Sequence, residues 1–316
     1  MALFSEEISI SEDRAFINSC AVEFGWDVSY AMLASLNYDR IVPVKAMAES
    51  WFSEVGSYLD RQFSERIKRE FHQRIWELYC GKLFNTRFTL LNKSENGLPD
   101  FKVLIGGKEA WVEATSPDNG SEESGNRLRL IREEVAKNGS ASYGGLISDQ
   151  TDPVVLRLKT AIQQKYLKYN TGYLRNGVKN GDPFIIAINS HLFDDEMDPV
   201  QVILQLFFGM GNQVVFFNRD PENVETSVFR EERAEVKSLK GDAVKVGIFQ
   251  SEEYECISGV IFATKDLYNI NMSEEEIGSD TFFVPNPFAR NKVAIGDFSY
   301  CTRVAADGDG VKLERP

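Results

Sequence analysis

Cysteine and histidine are scarce in this chain, and the few present have no metal-binding spacing. Only four cysteines and two histidines occur among 316 residues. The cysteines lie far apart, with no C-x-x-C pair, at Cys20, Cys80, Cys256 and Cys301. This pattern argues against a zinc finger or zinc ribbon, and scattered, unpaired thiols are typical of a reducing compartment. We therefore expect a cytoplasmic protein.

Long apolar runs are also missing. The chain contains no stretch of about 18 consecutive apolar residues, which is the length that a membrane-spanning helix needs. The first residues, Met1–Glu7, carry no basic segment of the kind that opens a signal peptide. We therefore expect neither secretion nor a membrane partner. A hydrophobic content of 43% predicts a substantial core in one large domain or two smaller ones.

Acidic residues outnumber basic ones, but they are absent from one segment. The formal net charge of −13 argues against indiscriminate nucleic-acid binding. Between Asp152 and Asp182, however, no acid occurs, and basic residues alternate with tyrosines. This island predicts a phosphate-contact surface, although a solvated helix face that balances acids elsewhere is the competing interpretation. The candidate nucleic-acid contacts are Arg157, Lys159, Lys168, Tyr169 and Arg175.

Hydrophobic periodicity predicts a mixed α/β chain. Residues 12–84 are predicted to be largely helical, and residues 117–152 are predicted to form a polar loop insertion with one short helix around Arg127–Lys137. A helix is expected over Val154–Tyr169, with Asp152 as its N-cap and Pro153 in its first turn. The proline-free segment 46–84 carries apolar residues at helical spacing, and Val200–Phe208 is another helix. The expected strands are Arg87–Leu91, Phe184–Asn189, Val214–Phe217, Val244–Phe249, Ile257–Ala263 and Phe282–Val284.

Two acids in the middle of the chain carry the main functional signal. Asp100 opens an apolar run that follows Leu98-Pro99, and Glu113 lies inside the next run, Ala110–Ala114. Gly106-Gly107 between the runs predicts a hairpin, which brings both acids to the same end. Buried carboxylates in proximity need a cation or a metal to remain ionised. The alternative is an ordinary turn aspartate beside a solvated strand face.

The predicted helix at Val154–Tyr169 adds a lysine in an unusual position. Lys165 falls within the apolar stripe of that helix, and an ammonium aimed at the core is costly without a partner. The two hairpin acids would supply that partner. The alternative is that the Lys165 stem extends along the helix to reach water.

In order, the chain shows a helix with an acid, a strand, a strand that starts Pro99-Asp100, a strand with Glu113-Ala114-Thr115, a helix with an inward lysine and a buried strand. This order resembles the PD-(D/E)xK nuclease superfamily over roughly residues 65–192, in a Glu-x-Thr variant. The resemblance implies a restriction-endonuclease-like core, with a mixed central sheet flanked by helices. It also implies that Asp100 and Glu113 are metal-binding acids and that Glu77 completes the metal site.

The chain departs from the family pattern at Thr115, where a lysine usually stands. A hydroxyl cannot replace the charge of that lysine. Lys165 is the candidate substitute, and Lys102, on the same strand face as Asp100, is the second candidate.

The resulting prediction is a metal-dependent endonuclease that hydrolyses DNA phosphodiester bonds, with Asp100, Glu113, Lys165 and Glu77 as catalytic residues. Mg²⁺ or Mn²⁺ is the expected cofactor, and DNA is the expected partner, with a homo-oligomer or a phage-defence protein as further expectations. The alternatives are a catalytically inactive nuclease-fold protein that binds nucleic acid or protein, and a nuclease that acts on RNA. The expected regions are residues 1–64 (helical), 65–192 (nuclease-like core) and 193–316 (a strand-rich α+β extension packed on the core).

Overall fold

The computed structural model describes residues 3–4, 14–35, 41–93, 97–118, 148–191, 197–217, 226–238, 241–265, 269, 273, 275–307 and 310–316. Most of the predicted loop insertion, including the expected helix around Arg127–Lys137, lies outside these residues. Of the helices in the described part of the chain, none is long and apolar enough to cross a membrane.

The first part of the chain is helical, but it is divided into short helices. They are α1 (Arg14–Phe24), α2 (Val28–Ser35), α3 (Ile41–Val55), α4 (Phe63–Arg66) and α5 (Phe71–Arg87). The segment 46–84 is therefore interrupted, because a 3₁₀ turn starts at Gly56 and α5 begins only at Phe71. Phe63, Ile67 and Phe71 are all buried, so the breaks let successive short segments turn an apolar side chain inward.

In the described part of the chain, a mixed sheet of eight strands forms the centre of the fold. Its strands are β1 (Thr89–Leu91), β2 (Phe101–Ile105), β3 (Lys108–Thr115), β4 (Phe184–Asn189), β9 (Gly259–Ala263), β10 (Phe282–Pro285), β11 (Thr302–Asp307) and β12 (Gly310–Glu314). Their spatial order is β1-β2-β3-β4-β9-β10-β11-β12. The predicted hairpin is present, and the strands β3, β4 and β9 run parallel to one another.

Helices cover both faces of this sheet. On one face α5 packs against β3 and shares an apolar core with Val112, Ala114 and Ala187, and α3 packs on α5. On the other face lie α6 (Ser148–Lys168) and α7 (Pro199–Phe208), which pack against Ile186 and Ile188. The chain is thus a mixed α/β protein whose large mixed sheet lies between two helical layers, each with its own apolar core.

The helix α6 begins earlier than the sequence predicts. It starts at Ser148, so Pro153 lies inside the helix and Asp152 is not its N-cap. Asp152 instead accepts a hydrogen bond from Gln205 Nε2 at 3.0 Å and forms an ion pair with Arg233 at 2.6 Å. Tertiary partners therefore engage the carboxylate that the local sequence assigned to a cap.

The C-terminal third supplies four of the eight sheet strands. The predicted boundary at residue 192 consequently falls between β4 and β9, which are hydrogen-bonded neighbours. Two small hairpins lie outside the main sheet: β5 (Met210–Phe217) with β6 (Thr226–Glu232), and β7 (Glu235–Lys237) with β8 (Ala243–Lys245). The expected strand at Val244–Phe249 is shorter than predicted, because β8 ends at Lys245.

Candidate active site

The hairpin brings Asp100 and Glu113 into cross-strand positions. Phe101 pairs with Val112, so the preceding Asp100 lies opposite Glu113. Both central glycines of the turn have positive φ (Gly106 +55°, Gly107 +79°), which a two-residue type I′ turn requires. Asp100 Oδ2 accepts a hydrogen bond from the Ala114 backbone N–H at 2.8 Å. The turn chemistry thus sets the register that places one acid beside the other.

Glu113 is buried and is held by three donors from α6 and the turn that follows it. Its Oε1 accepts from Lys165 Nζ at 2.9 Å and from Lys168 Nζ at 3.1 Å. Its Oε2 accepts from the Tyr173 hydroxyl at 2.5 Å. Tyr173 belongs to a five-residue π-helix, Tyr169–Tyr173, that directly continues α6. Both carboxylate oxygens of Glu113 are therefore occupied by hydrogen-bond donors.

The side-chain environment also sets the charge of Glu113. Burial alone would raise its pKa, but Lys165, Lys168 and the Tyr173 hydroxyl together hold the pKa of Glu113 below its ordinary value. The ammonium of Lys165 is desolvated, yet the neighbouring Glu113 carboxylate raises the pKa of Lys165 above its ordinary value. Glu113 and Lys165 are thus both charged at neutral pH, in a site that is largely removed from water.

Glu77 approaches the same site from α5, on the opposite face of the sheet. Arg74 NH1 donates to both of its carboxylate oxygens, at 2.8 and 2.7 Å. Gln73 Nε2 donates to Glu77 Oε1 at 2.8 Å and to the Ala114 carbonyl at 3.1 Å. Burial raises the pKa of Glu77 despite Arg74, and Glu113 contributes in the same direction. Glu77 therefore adjoins the site but is already paired with its own cation.

Asp100 is the acid whose negative charge is least compensated. Burial raises the pKa of Asp100 to about 8, and the charges of Glu113 and Glu77 add to this effect. The Lys93 ammonium contacts only backbone carbonyls here, at 2.6 Å from Asp100 O and 3.2 Å from Pro99 O. A cation added beside Asp100 would thus favour its ionised form.

The remaining predicted site residues divide between near and distant positions. Thr115 is buried two residues along β3 from Glu113, on the same strand face. Lys102 instead pairs with Glu109 at 2.8 Å and lies 5.5 Å from the centre of the Trp111 ring. Of the two lysines proposed to replace the missing one at Thr115, only Lys165 contacts Glu113 among the contacts of the described residues.

The basic residues between Asp152 and Asp182 do not form one continuous surface. Tyr169 is 1% exposed and packs on Phe184, with ring centres 4.7 Å apart, so its ring is not available for stacking on a base in this conformation. Arg157 is engaged with Asp118, through NH2 to Oδ1 at 2.6 Å. Lys159 is partly buried near Glu253 and Lys245. Lys168 and Arg175 are exposed.

Four site residues were missed by the sequence reasoning: Gln73, Arg74, Lys168 as a partner of Glu113, and Tyr173. For Gln73, Arg74 and Lys168, the helical spacing in the sequence could have indicated their positions. Gln73 and Arg74 precede Glu77 by four and three positions, so α5 places them on its face. Lys168 follows Lys165 by three positions on α6. Only the tertiary structure, however, shows that all four converge on the buried acids.

The arrangement offers a limited set of metal ligands. Within the described ranges, no group of three or more His, Cys, Asp and Glu side chains is arranged to hold a metal ion. Asp100 and Glu113 remain as two adjacent carboxylates. Mg²⁺ is commonly bound by one or two carboxylates and keeps several waters, so two acids are a sufficient donor set for it.

Comparisons with family models, with curated proteins and with solved structures found no match to this chain.

Proposed function

We propose that the protein is a metal-dependent nuclease that hydrolyses DNA phosphodiester bonds on a restriction-endonuclease-like core. The observation that carries the proposal is the Asp100–Glu113 pair, with the Lys165 ammonium 2.9 Å from Glu113 Oε1. The order α5, β1, β2, β3, α6 and β4 around this pair matches the order of elements in the PD-(D/E)xK resemblance. Neither the contacts of this pair nor the order of elements depends on the basic residues between Asp152 and Asp182.

Asp100 and Glu113 would hold the ion, with Mg²⁺ or Mn²⁺ as the cation. Their fit to a divalent cation rests on the cross-strand placement of the two carboxylates and on the burial that raises the pKa of Asp100, because an ionised carboxylate at this position requires added positive charge. Glu77 is expected to remain with Arg74 and to act as a neighbour of the site. When bound, the ion would supply a water of lowered pKa and would neutralise charge that develops on the phosphate.

The side chains of the protein would orient the substrate. Lys165 is held by Glu113 at the buried end of the site, from where it would stabilise negative charge on the attacked phosphate. The Lys168 side chain is 53% exposed, so it is accessible to the DNA backbone from the solvent side. Arg175 is exposed and would add a backbone contact. Thr115 supplies no charge, and its buried hydroxyl lies next to Glu113 along the strand.

A second candidate function is nucleic-acid or protein binding without cleavage. The observation that favours it is the saturation of Glu113, whose two oxygens accept from Lys165, Lys168 and Tyr173. A divalent ion would have to share Glu113 with these donors. In a binding module the two ammonium groups would serve only to attract phosphate.

The test is cleavage of supercoiled plasmid and linear duplex DNA in Mg²⁺ or Mn²⁺. We expect the wild-type protein to cut, and we expect Asp100→Asn and Glu113→Gln to lose at least about 100-fold in rate, because each removes a ligand charge. Lys165→Gln should lose a comparable amount. Repeating the assay with RNA separates the two nucleic-acid substrates.

Two control variants come from the same elements. Glu109→Gln neutralises an exposed acid of the same hairpin, and Gln164→Ala truncates an exposed side chain of α6 next to Lys165. Both should cut at the wild-type rate. Cutting that survives in Asp100→Asn and Glu113→Gln would refute the nuclease proposal. Tight DNA binding with no cutting under any of these conditions would support the binding module.

A further inference from the structure

The strand β3 extends beyond its neighbour β2 at the candidate site. Pairing between them stops at Phe101 and Val112, because β2 begins at Phe101. Past this point three backbone groups of β3 and the residue after it take side-chain partners instead of a strand: Ala114 N–H, Ala114 C=O and Ser116 N–H. These residues are buried, so leaving such groups unpaired would be costly.

One side chain, Gln73, satisfies two of these three groups. Its Nε2 donates to the Ala114 carbonyl at 3.1 Å, and its Oε1 accepts from the Ser116 N–H at 2.8 Å. A primary amide carries both a donor and an acceptor, as a peptide group does. Gln73 therefore acts as a substitute for the missing strand partner beside β3.

The same amide also contacts Glu77. Gln73 Nε2 lies 2.8 Å from Glu77 Oε1, four positions further along α5. Gln73 thus links the segment that follows Glu113 with the acid on α5. Any motion of the β3 end relative to α5 would break at least one of its three hydrogen bonds.

We propose that Gln73 is a positioning residue that holds the end of β3 against α5 and thereby fixes the strand segment that carries Glu113, one of the two carboxylates that would bind the divalent ion. This inference rests on the proposed function, because it assumes an ion at Asp100 and Glu113. Gln73 itself would not touch the ion. Its contribution would resemble that of other residues outside the ligand set, whose loss commonly lowers metal affinity by about 10- to 100-fold.

The test is the dissociation constant for MnCl₂, measured by titration calorimetry on the DNA-free protein. Gln73→Met keeps the approximate volume of the side chain and removes all three hydrogen bonds. We expect it to weaken Mn²⁺ binding at least about tenfold. The matched control is Gln201→Met, since Gln201 is also partly buried and donates to a backbone carbonyl, that of Gly211 at 3.1 Å. Gln201 lies on α7, so its variant should bind Mn²⁺ as the wild type does.

The outcomes separate this inference from the function on which it rests. A Gln73→Met protein that binds Mn²⁺ within twofold of the wild type would overturn the positioning role and leave the nuclease proposal standing. A wild-type protein that binds no Mn²⁺ would overturn both. If Gln73→Met does not fold, Gln73→Asn provides the test. Asparagine keeps a polar amide, but its side chain is one methylene too short to reach both β3 and Glu77. Wild-type affinity in Gln73→Asn would contradict the inference.

Discussion

Asp100 differs from the two acids beside it in the cations that surround it. Glu77 pairs with Arg74, and Glu113 pairs with Lys165 and Lys168. Among the ion pairs of the described residues, none includes Asp100, whose Oδ2 accepts only from the Ala114 N–H. Its pKa of about 8 follows from burial and from the two neighbouring carboxylates. At the scale of single residues, Asp100 is therefore the acid of the site that has no ion-pair partner among the described residues.

The missing ion-pair partner of Asp100 predicts a specific dependence of stability on pH. Between its unfolded pKa of 3.8 and its folded pKa of about 8, Asp100 keeps a proton in the folded chain that the unfolded chain releases. The contribution of Asp100 to the free energy of unfolding therefore falls as pH rises through this window. Asp100→Asn should gain stability relative to the wild type as the pH rises from 5 to 8, by up to about 1 kcal/mol per pH unit. Urea unfolding at both pH values measures the gain, and Glu109→Gln serves as the control. A difference that is independent of pH would contradict the prediction.

Arg74 provides the second prediction at this scale. Arg74→Met leaves the Glu77 carboxylate buried without its bidentate partner. We expect a loss of about 3 kcal/mol in the free energy of unfolding, since a buried charge without its partner is strongly destabilising. Adding Glu77→Gln should recover part of this loss, because it removes the uncompensated charge.

The control for Arg74→Met is Arg66→Met. Arg66 pairs with Asp60 at 3.3 Å, and its side chain is 42% exposed. Its loss should cost less than about 1 kcal/mol, as is usual for surface pairs. Equal losses in Arg74→Met and Arg66→Met would show that the buried pair contributes no more than an exposed one.

At the scale of elements, local patterns predicted the pieces that position the site. The Gly106-Gly107 turn, the strand Phe184–Asn189 and a helix that ends after Lys165 were all expected from spacing and turn chemistry. The breaks between α3 and α5 were not, because the apolar spacing continues across them. The helix start at Ser148 was missed because the capping signal at Asp152 was outweighed by its contacts with Gln205 and Arg233.

The hairpin turn can be tested directly. Gly107 has φ of +79°, and a methyl group added at its Cα would meet no heavy atom within 4 Å, so Gly107→Ala isolates the conformational cost. We expect a loss of about 1 kcal/mol in the free energy of unfolding, because an L-residue disfavours the left-handed region. Gly181→Ala is the control, since Gly181 lacks a positive φ and also has open space around it. It should be neutral or slightly stabilising.

At the scale of the whole molecule, the continuity of the sheet decides which parts can fold alone. Every residue of β4 is buried, and the strand is flanked by β3 on one side and β9 on the other. Removal of the chain after His191 would expose one edge of a wholly buried strand. The candidate site depends on that strand indirectly, because β3 is its other neighbour.

We therefore expect a fragment of residues 1–191 to show no cooperative thermal unfolding by circular dichroism. A chain that lacks only residues 310–316 loses the edge strand β12 and should keep a cooperative transition at a lower temperature. A 1–191 fragment with dispersed amide resonances would show that the first half is an independent domain.

The sequence by itself determined the features that depend on near neighbours: the hairpin and its register, the buried character of β4, and the face of α6 on which Lys165 lies. These follow from the allowed backbone conformations of glycine and from the spacing of apolar residues. Only the tertiary structure decided that Lys102 turns toward Glu109, that Tyr169 is buried, that Gln73 reaches Ala114 and Ser116, and that the C-terminal strands complete the sheet. Each of these depends on desolvation and hydrogen bonding that the full fold creates, most often between segments far apart in the chain, for which local spacing carries no information.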